Sequence, residues 1–337
     1  MLNLIKHIMQ TVDSENKKIK VSVIIPVFNQ ARHIKECLNS VSKQTLKEIE
    51  IIVVDGGSND QTTEIVKELQ ALDQRIVQLS ATPGSIPEAR QEGLKISRGE
   101  YILYLDGDDR LVDDALELLY DKGTEADAEM VVLNFIIDNR FSNTFTESKS
   151  DKFVRLSGID FIRSLYEHKN YWMVWSVFHK RDLYNNPINF DNSLFLGEDT
   201  LLTTQLAYYS KKVMKINCKP LLYHTIHKDA QAKKKCFSQK KCFDLEVFPQ
   251  LIRDFLKDKP EFERLEESWC CLRLDAIVRS FKYNHYQCCK EKSREALDIL
   301  NKYPALRKKM GNGITPMFRM FSISENLGKA FSKIILQ

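Results

Sequence analysis

No run in the 337 residues reaches the ~18 to 20 apolar positions that a membrane-spanning helix needs, so none reads as a transmembrane segment. The opening MLNLIKHIMQ carries Lys6 and His7 inside its apolar part and shows no small-residue cleavage site, which argues against a secretory signal. C-x-x-C spacing is absent from the eight cysteines, which include the adjacent pairs Cys270–Cys271 and Cys288–Cys289. That excludes a common zinc ligand set, and reduced, buried thiols in a cytoplasmic protein are expected instead. G-x-G-x-x-G is also missing, which excludes the dinucleotide fingerprint. No internal repeat suggests a solenoid.

What is present is a globular composition, 43% hydrophobic and 28% charged, on a chain long enough for one large domain or two smaller ones. The charge is unevenly placed. Residues 1–227 hold 27 basic and 32 acidic side chains, whereas residues 228–337 hold 23 and 14. A basic tail on an acidic body points to an anionic partner for the tail, nucleic acid or a membrane surface.

A polar, lysine-rich arm (residues 1–20) leads into VSVIIPVF (21–28), a continuous apolar run typical of a strand buried on both faces. Ile34, Leu38 and Val41 then fall at helical spacing. Further strands are expected at 50–55, 75–79 and 100–105, alternating with helices marked by Ile65, Leu69 and Leu72 and by residues 86–97. That rhythm predicts an α/β fold, a parallel sheet with helices on both faces. Beyond it, AEMVVLNFIID (128–138) reads as one strand and 139–151 as a loop or exposed hairpin. A helix near 157–168, an aromatic strand at 171–178, a loop opening a helix at 195–209 and a strand-like 213–224 follow. From about 228 onward only helical spacing remains.

Ligands in such sheets sit at the carboxyl ends of the strands. Three clusters should meet there: Pro26 to Asn29, Asp55 to Asp60, and Asp106 to Asp109. In YILYLDGDDRL, Asp106, Asp108 and Asp109 crowd the end of a buried strand, where like charges repel unless something offsets them. Carboxylates two apart suit a hard divalent ion such as Mg²⁺ or Mn²⁺. An EF-hand is excluded because Leu111 stands where its loop needs glycine. A solvated turn would tolerate the same residues. VVDGGSND (53–60) likewise suits a ligand loop or simply a tight strand-to-helix turn. In GED (197–199), Glu198 and Asp199 precede a helix whose macrodipole alone would favour them.

VSVIIPVFN, IIVVDGGSND, RGEYILYLDGDD and GED stand in the order and rough spacing of the family-2 glycosyltransferases, which the chain resembles over residues 21 to about 227. The resemblance implies a GT-A fold and is nearest to enzymes of bacterial surface polysaccharides such as capsule. It implies a domain at 21–227, with a nucleotide-sugar half (21–115) and an acceptor half (116–227), followed by a basic helical region at 228–337. Pro26, Phe28 and Asn29 take the place of the segment against the nucleotide base, and Asp55 that of the acid ending the second strand. Gly56 stands where many members have a second acid. Arg90 matches a residue near the donor. Asp106 and Asp108 form the Asp-x-Asp motif, Asp106 toward the nucleotide sugar and both at the metal. Asp199 matches the catalytic base, with Glu198 beside it. His227 matches a histidine facing the diphosphate, although Thr225 replaces the usual arginine, a charge that His224, His227 or Lys228 could supply; a lone histidine is also often structural.

The implied activity is an inverting, metal-dependent transfer of a hexosyl group from a nucleoside-diphosphate donor, UDP-sugar by preference, to a saccharide or lipid-linked acceptor. A sugar-1-phosphate nucleotidyltransferase is disfavoured because VIIPVFNQARH lacks that class's glycine-rich loop. A non-catalytic binding protein of the same fold is disfavoured by intact Asp108 and Asp199. The tail ends in TPMFRMFSISENLGKAFSKIILQ, where Leu327, Phe331, Ile334 and Ile335 lie at helical spacing beside Lys329 and Lys333. Such a helix fits an anionic membrane surface or ordinary packing. Without aromatic stacking platforms it is a poor nucleic-acid binder. Peripheral attachment to the inner face of the plasma membrane is therefore the expected location if the tail binds lipid, and homo-oligomerisation is left open.

Overall fold

The computed structural model describes residues 18–140, 142–148, 154–216, 218–226, 239–311 and 313–336. They fall into two compact units. The first gathers the described residues of 1–157, 173–193 and 209–230; the second takes those of 158–172, 194–208 and 231–337.

The first unit opens with β1 (Val21–Val27), α1 (Ile34–Ser42), β2 (Ile49–Asp55), α2 (Thr62–Leu72), β3 (Ile76–Ser80), α3 (Ile86–Ile96) and β4 (Tyr101–Tyr104). These strands pair in parallel in the order β3-β2-β1-β4. Their sequences are apolar on both sides because both faces are covered: every residue of β2 and β4 is buried. On one face Ile34, Leu38 and Val41 of α1, spaced three or four apart, pack into the same cluster as Val23, Ile25, Ile51 and Leu103.

Then come β5 (Arg110–Leu111), α4 (Ala115–Glu125), β6 (Met130–Val132), β7 (Phe135–Asn139), β8 (Thr144–Glu147), β9 (Val154–Leu156), β10 (Val177–Lys180), β11 (Val213–Lys215) and β12 (Leu222–Ile226). The main sheet continues β4-β10-β6-β11-β9, with β10 antiparallel to both neighbours and β9 antiparallel to β11. The sheet is thus mostly parallel, as expected for a GT-A fold. A second sheet has the order β5-β12-β7-β8.

Two expected strands are divided and a third is shortened. Residues 128–138 form two strands in different sheets, β6 and β7, and 213–224 divides in the same way into β11 and β12. Asn134 sits at the switch, its side-chain amide donating to the carbonyls of Ile216 and Cys218 at 3.3 and 2.9 Å, so both chain segments change sheets together. The aromatic run 171–178 begins instead with a 3₁₀ turn at Val174–Ser176, closed by the Ser176 hydroxyl on the Met173 carbonyl at 2.6 Å. Residues 139–151 contain β8, which makes a hairpin with β7.

The second unit is helical: α5 (Gly158–Tyr166), α6 (Glu198–Tyr209), α7 (Gln239–Leu256), α8 (Phe262–Lys282), α9 (Cys289–Lys302), α10 (Ala305–Met310), α11 (Ile314–Ile323) and α12 (Glu325–Ile335). Its core includes an aromatic cluster in which Phe321 stands 4.4 Å from Phe281 and 5.4 Å from Tyr286, centroid to centroid. Trp269 of α8 donates its indole N–H to the carbonyl of Pro249 within α7 at 2.9 Å. Among the described cysteines, all are free thiols.

Candidate active site

At the carboxyl edge of β1 and β2 the following loops are bound to one another by short polar contacts. The Asn29 amide donates to Ser58 Oγ at 2.9 Å, and Asn29 Oδ1 accepts from the Asn59 amide at 2.9 Å. The Ala31 amide donates to Asp60 at 3.1 Å, and Gln30 N–H to Thr62 Oγ1 at 2.8 Å. Asn29 adopts φ 53°, a left-handed conformation that asparagine tolerates better than most residues. Gly57, at φ +79°, could not be replaced freely, because a Cβ there would lie 2.9 Å from Pro83.

Asp55 is buried and accepts from the Ser58 amide at 2.8 Å and from Thr63 Oγ1 at 2.6 Å. Those bonds fix the strand-to-helix turn, so Asp55 carries a structural duty whatever else it does. A Cβ on the neighbouring Gly56 would meet Val27 O at 3.5 Å, an ordinary contact, so packing does not require glycine there. Phe28 is 42% exposed at the same edge, an aromatic face open to a planar ring.

The aspartate triplet divides its labour. Asp109 is fully buried; His224 Nδ1 of β12 lies 3.1 Å from its carboxylate, and the Thr225 amide donates to it at 2.8 Å. Burial disfavours charge on His224, but the Asp109 hydrogen bond and the nearby carboxylates overcome this and push it up to about 9. A protonated histidine therefore offsets one charge of the triplet. Asp108 is the opposite case: burial, then the charge of Asp109, raises its carboxyl to about 6. Asp106 is a third exposed and lies 3.7 Å from Arg90, whose guanidinium is buried and also sits over the Tyr104 ring at 5.7 Å.

Asp108 is a hard oxygen donor in a setting that penalises its charge, and Asp106 is close in sequence and partly exposed, so the pair fits Mg²⁺ or Mn²⁺. Among the described residues no three His, Cys, Asp or Glu side chains form a ready-made cage. The protein's share would then be one or two carboxylates, with substrate phosphates completing the shell. His227 and Lys228 lie outside the described residues.

Sequence reading missed a buried chain beside Arg90. Tyr104 and Tyr184 share a hydrogen bond at 2.9 Å, and Tyr184 OH lies 3.0 Å from His179 Nε2, while His179 Nδ1 faces the Val177 carbonyl at 3.2 Å. With Nδ1 carrying the proton, both tyrosines can donate in one direction toward Nε2. Burial holds His179 down at about 4, so the ring is neutral.

Glu198 and Asp199 belong to the helical unit, at the first turn of α6. They line a cavity of about 150 Å³ together with Trp172, Phe248, Asp275 and Arg279. Gly197 just before them has φ +90°, and a Cβ on it would collide with Phe248 at 2.4 Å. The buried Asp244 of α7 holds the preceding loop, accepting from the Phe195 and Leu196 amides at 2.8 and 3.0 Å. Sequence inspection missed this residue too. Its only signal is an acid that falls among the buried positions Cys242, Leu245 and Phe248 of the helix.

Residues 22–183 match the profile described as glycosyl transferase family 2. A curated relative, glycosyltransferase GlyA of Streptococcus pneumoniae serotype 4, is 31% identical over 224 residues, 62% of this chain and 31% of its own length. TarP of Staphylococcus aureus N315, a poly(ribitol-phosphate) β-N-acetylglucosaminyltransferase, is 31% identical over 57% of this chain and 58% of its own. The chain thus spans from about a third to three fifths of these relatives. The crystal structure of S. aureus TarS 1–349 with UDP-GlcNAc is similar in fold, at TM-score 0.59 and 18% identity over 92% of each chain. The strand order, the Asp-x-Asp edge and the profile agree on the class: this is a nucleotide-sugar transferase fold of GT-A type. Residues 22–183 carry a domain similar to the family-2 glycosyltransferases, within a fold similar to that of TarS.

Proposed function

We propose that the protein transfers a hexosyl group from a nucleoside-diphosphate sugar to a hydroxyl of a saccharide or lipid-linked acceptor in surface-polysaccharide synthesis, with inversion at the anomeric carbon. The observation that carries this reading is the gathering of the β1 and β2 loops and the aspartate triplet at one strand edge, with Asp108 disfavoured as a bare charge. A UDP-sugar is the preferred donor, supported by the UDP-GlcNAc bound to a protein of similar fold.

In this reading Phe28, with Pro26 and Asn29, holds the base, and Asp55 and Gly56 shape the turn beside it. Arg90 and Asp106 hold the sugar and diphosphate, and His227 contributes to the diphosphate site. Asp106 and Asp108 would bind Mg²⁺ or Mn²⁺, which when present supplies counter-charge for the leaving diphosphate. Asp199 takes the proton from the acceptor hydroxyl, with Glu198 beside it. One displacement at the anomeric carbon needs no covalent intermediate, so inversion follows.

Full-length protein incubated with UDP-GlcNAc or another UDP-hexose, Mn²⁺ and a panel of saccharide acceptors should release UDP as the sugar passes to an acceptor hydroxyl, and should lose that activity in excess EDTA. Asp108→Asn should abolish release, whereas Asp199→Asn should keep donor binding while losing about 10²- to 10⁴-fold in transfer. Undiminished turnover in EDTA would remove the metal assignment, and normal transfer by the Asp199→Asn protein would move the base elsewhere.

A second reading concerns location. The tail's apolar stripe is divided in the structure: Phe331 and Ile335 are partly covered, while Leu327 and Ile334 are 53% and 73% exposed beside the exposed Lys333, with Ile323 at 68%. No described helix is long and apolar enough to cross a membrane. An exposed apolar ridge with basic neighbours supports peripheral attachment to an anionic lipid surface.

A further inference from the structure

The described residues that line the cavity around Glu198 and Asp199 all belong to the helical unit, and part of its wall comes from α8, beyond the segment that matches the family profile. Its chemistry is uneven. Trp172 presents a half-buried indole; Thr203 Oγ1 donates to its backbone carbonyl at 3.0 Å, and His168 stands edge-on to the ring at 5.5 Å. Arg279 lies over that ring at 5.5 Å. Its Nε donates to Asp275 at 2.7 Å, one helical turn away, so the guanidinium is already engaged by a carboxylate.

Arg279 is the one cationic side chain among the described lining residues, set against Glu198, Asp199 and Asp275. Even with Lys241, whose ammonium stands 5.1 Å from the ring of Phe195 at the wall, acids outnumber cations among the described residues. A phosphate or uronate entering here would meet excess negative charge and a guanidinium that has a partner. A neutral pyranose would not: its apolar C–H face suits an indole, and its hydroxyls suit carboxylate acceptors. At about 150 Å³ the cavity is smaller than the roughly 300–1,000 Å³ of pockets for drug-sized ligands, which suits a single sugar residue.

We infer that this cavity is the subsite for the acceptor's terminal sugar, that it selects a neutral residue, and that Trp172, Asp275 and Arg279 set the selection. The inference rests on the transferase reading for the word acceptor, but the binding preference stands on the cavity itself. It separates this chain from a protein whose acceptor is a phosphate polymer.

The test is saturation-transfer NMR on the full-length protein with methyl glycosides of neutral hexoses and N-acetylhexosamines, against methyl glucuronide and ribitol 5-phosphate. At least one neutral glycoside should bind, and the two anionic probes should be weaker. Arg279→Gln or Trp172→Phe should weaken that neutral glycoside about tenfold, the size of one lost polar or stacking contact. Asp275→Asn supplies a gain that a purely structural role would not produce: it releases the guanidinium, so glucuronide binding should rise. Thermal melts of each variant exclude misfolding as the cause of a loss. Preference of the wild-type protein for either anion, silence from every neutral glycoside, or no gain in the folded Asp275→Asn protein overturns the inference. Binding of a neutral glycoside by wild-type protein that splits no nucleotide-sugar would instead overturn the transferase reading and leave the sugar subsite standing.

Discussion

His224 of β12 and Asp109 at the end of the β4 segment are 115 residues apart and meet at 3.1 Å, joining the second sheet to the aspartate edge. The imidazole also stacks on Trp175 at 4.6 Å, so its position is fixed by packing as well as by charge. Removing the ring while keeping the buried carboxylate leaves that charge without its ion partner. His224→Ala should therefore lose about 3 kcal/mol in urea unfolding, and the double change with Asp109→Asn should recover part of it. Equal losses in the single and double variants would show that packing on Trp175, not the ion pair, sets the stability.

Asp244 gives a prediction about positioning rather than chemistry. Its carboxylate holds two successive amides just before Gly197, and so places the first turn of α6. Asp244→Ala should reduce transfer about 10- to 100-fold with the donor KM unchanged, because a small displacement of a reacting group is costly. Asp244→Asn keeps an oxygen that can accept both bonds and should retain most activity. If both variants were equally impaired, the negative charge, not the hydrogen bonding, would be what matters.

His179 makes stability depend on pH. Burial holds its folded value at about 4, below the ordinary value of roughly 6.5, so the unfolded chain binds the proton more readily. The sign follows: the contribution is intact above roughly pH 6.5 and is lost as pH falls toward 4, by about 3 kcal/mol in all. Thermal melts between these limits, compared with His179→Gln, isolate this group from the carboxylates that titrate beside it. Parallel profiles for the two proteins would rule out His179 as the source.

The parts legible in sequence are those governed by local pattern. Continuous apolar runs marked β1, β2 and β4, and the period of Ile34, Leu38 and Val41 marked α1, because burial on both faces or on one stripe writes directly into residue order. Residues 128–138 look like one strand because Leu133 and Asn134 continue its composition. Only the long-range bonds of Asn134 to Ile216 and Cys218 show why it must divide. The aspartate triplet was legible as a place where charge needs compensation. That Asp109 obtains it from a protonated His224, while Asp108 does not, depends on tertiary pairing that residue spacing cannot express.

The tail's surface can be tested without truncating a unit whose helices also hold the loop before Glu198. Residues Ile323, Leu327 and Ile334 leave apolar area open, whereas Gly328 and Ser332 face inward, where a Cβ on Gly328 would strike Phe321 at 2.2 Å. Inward and outward faces are therefore separately addressable. Leu327→Glu combined with Ile334→Glu changes only exposed positions, so the fold and its melting temperature should hardly move. If the ridge lies among lipid headgroups, wild-type protein should sediment with anionic vesicles at low salt and the double variant should stay in the supernatant. Raising the salt should release the wild type in part, since screening removes the lysine contribution and leaves the apolar one. Equal sedimentation of both proteins would assign vesicle binding to another surface, and sedimentation of neither would end the membrane reading and leave α12 as a packing helix with an uncovered outer face.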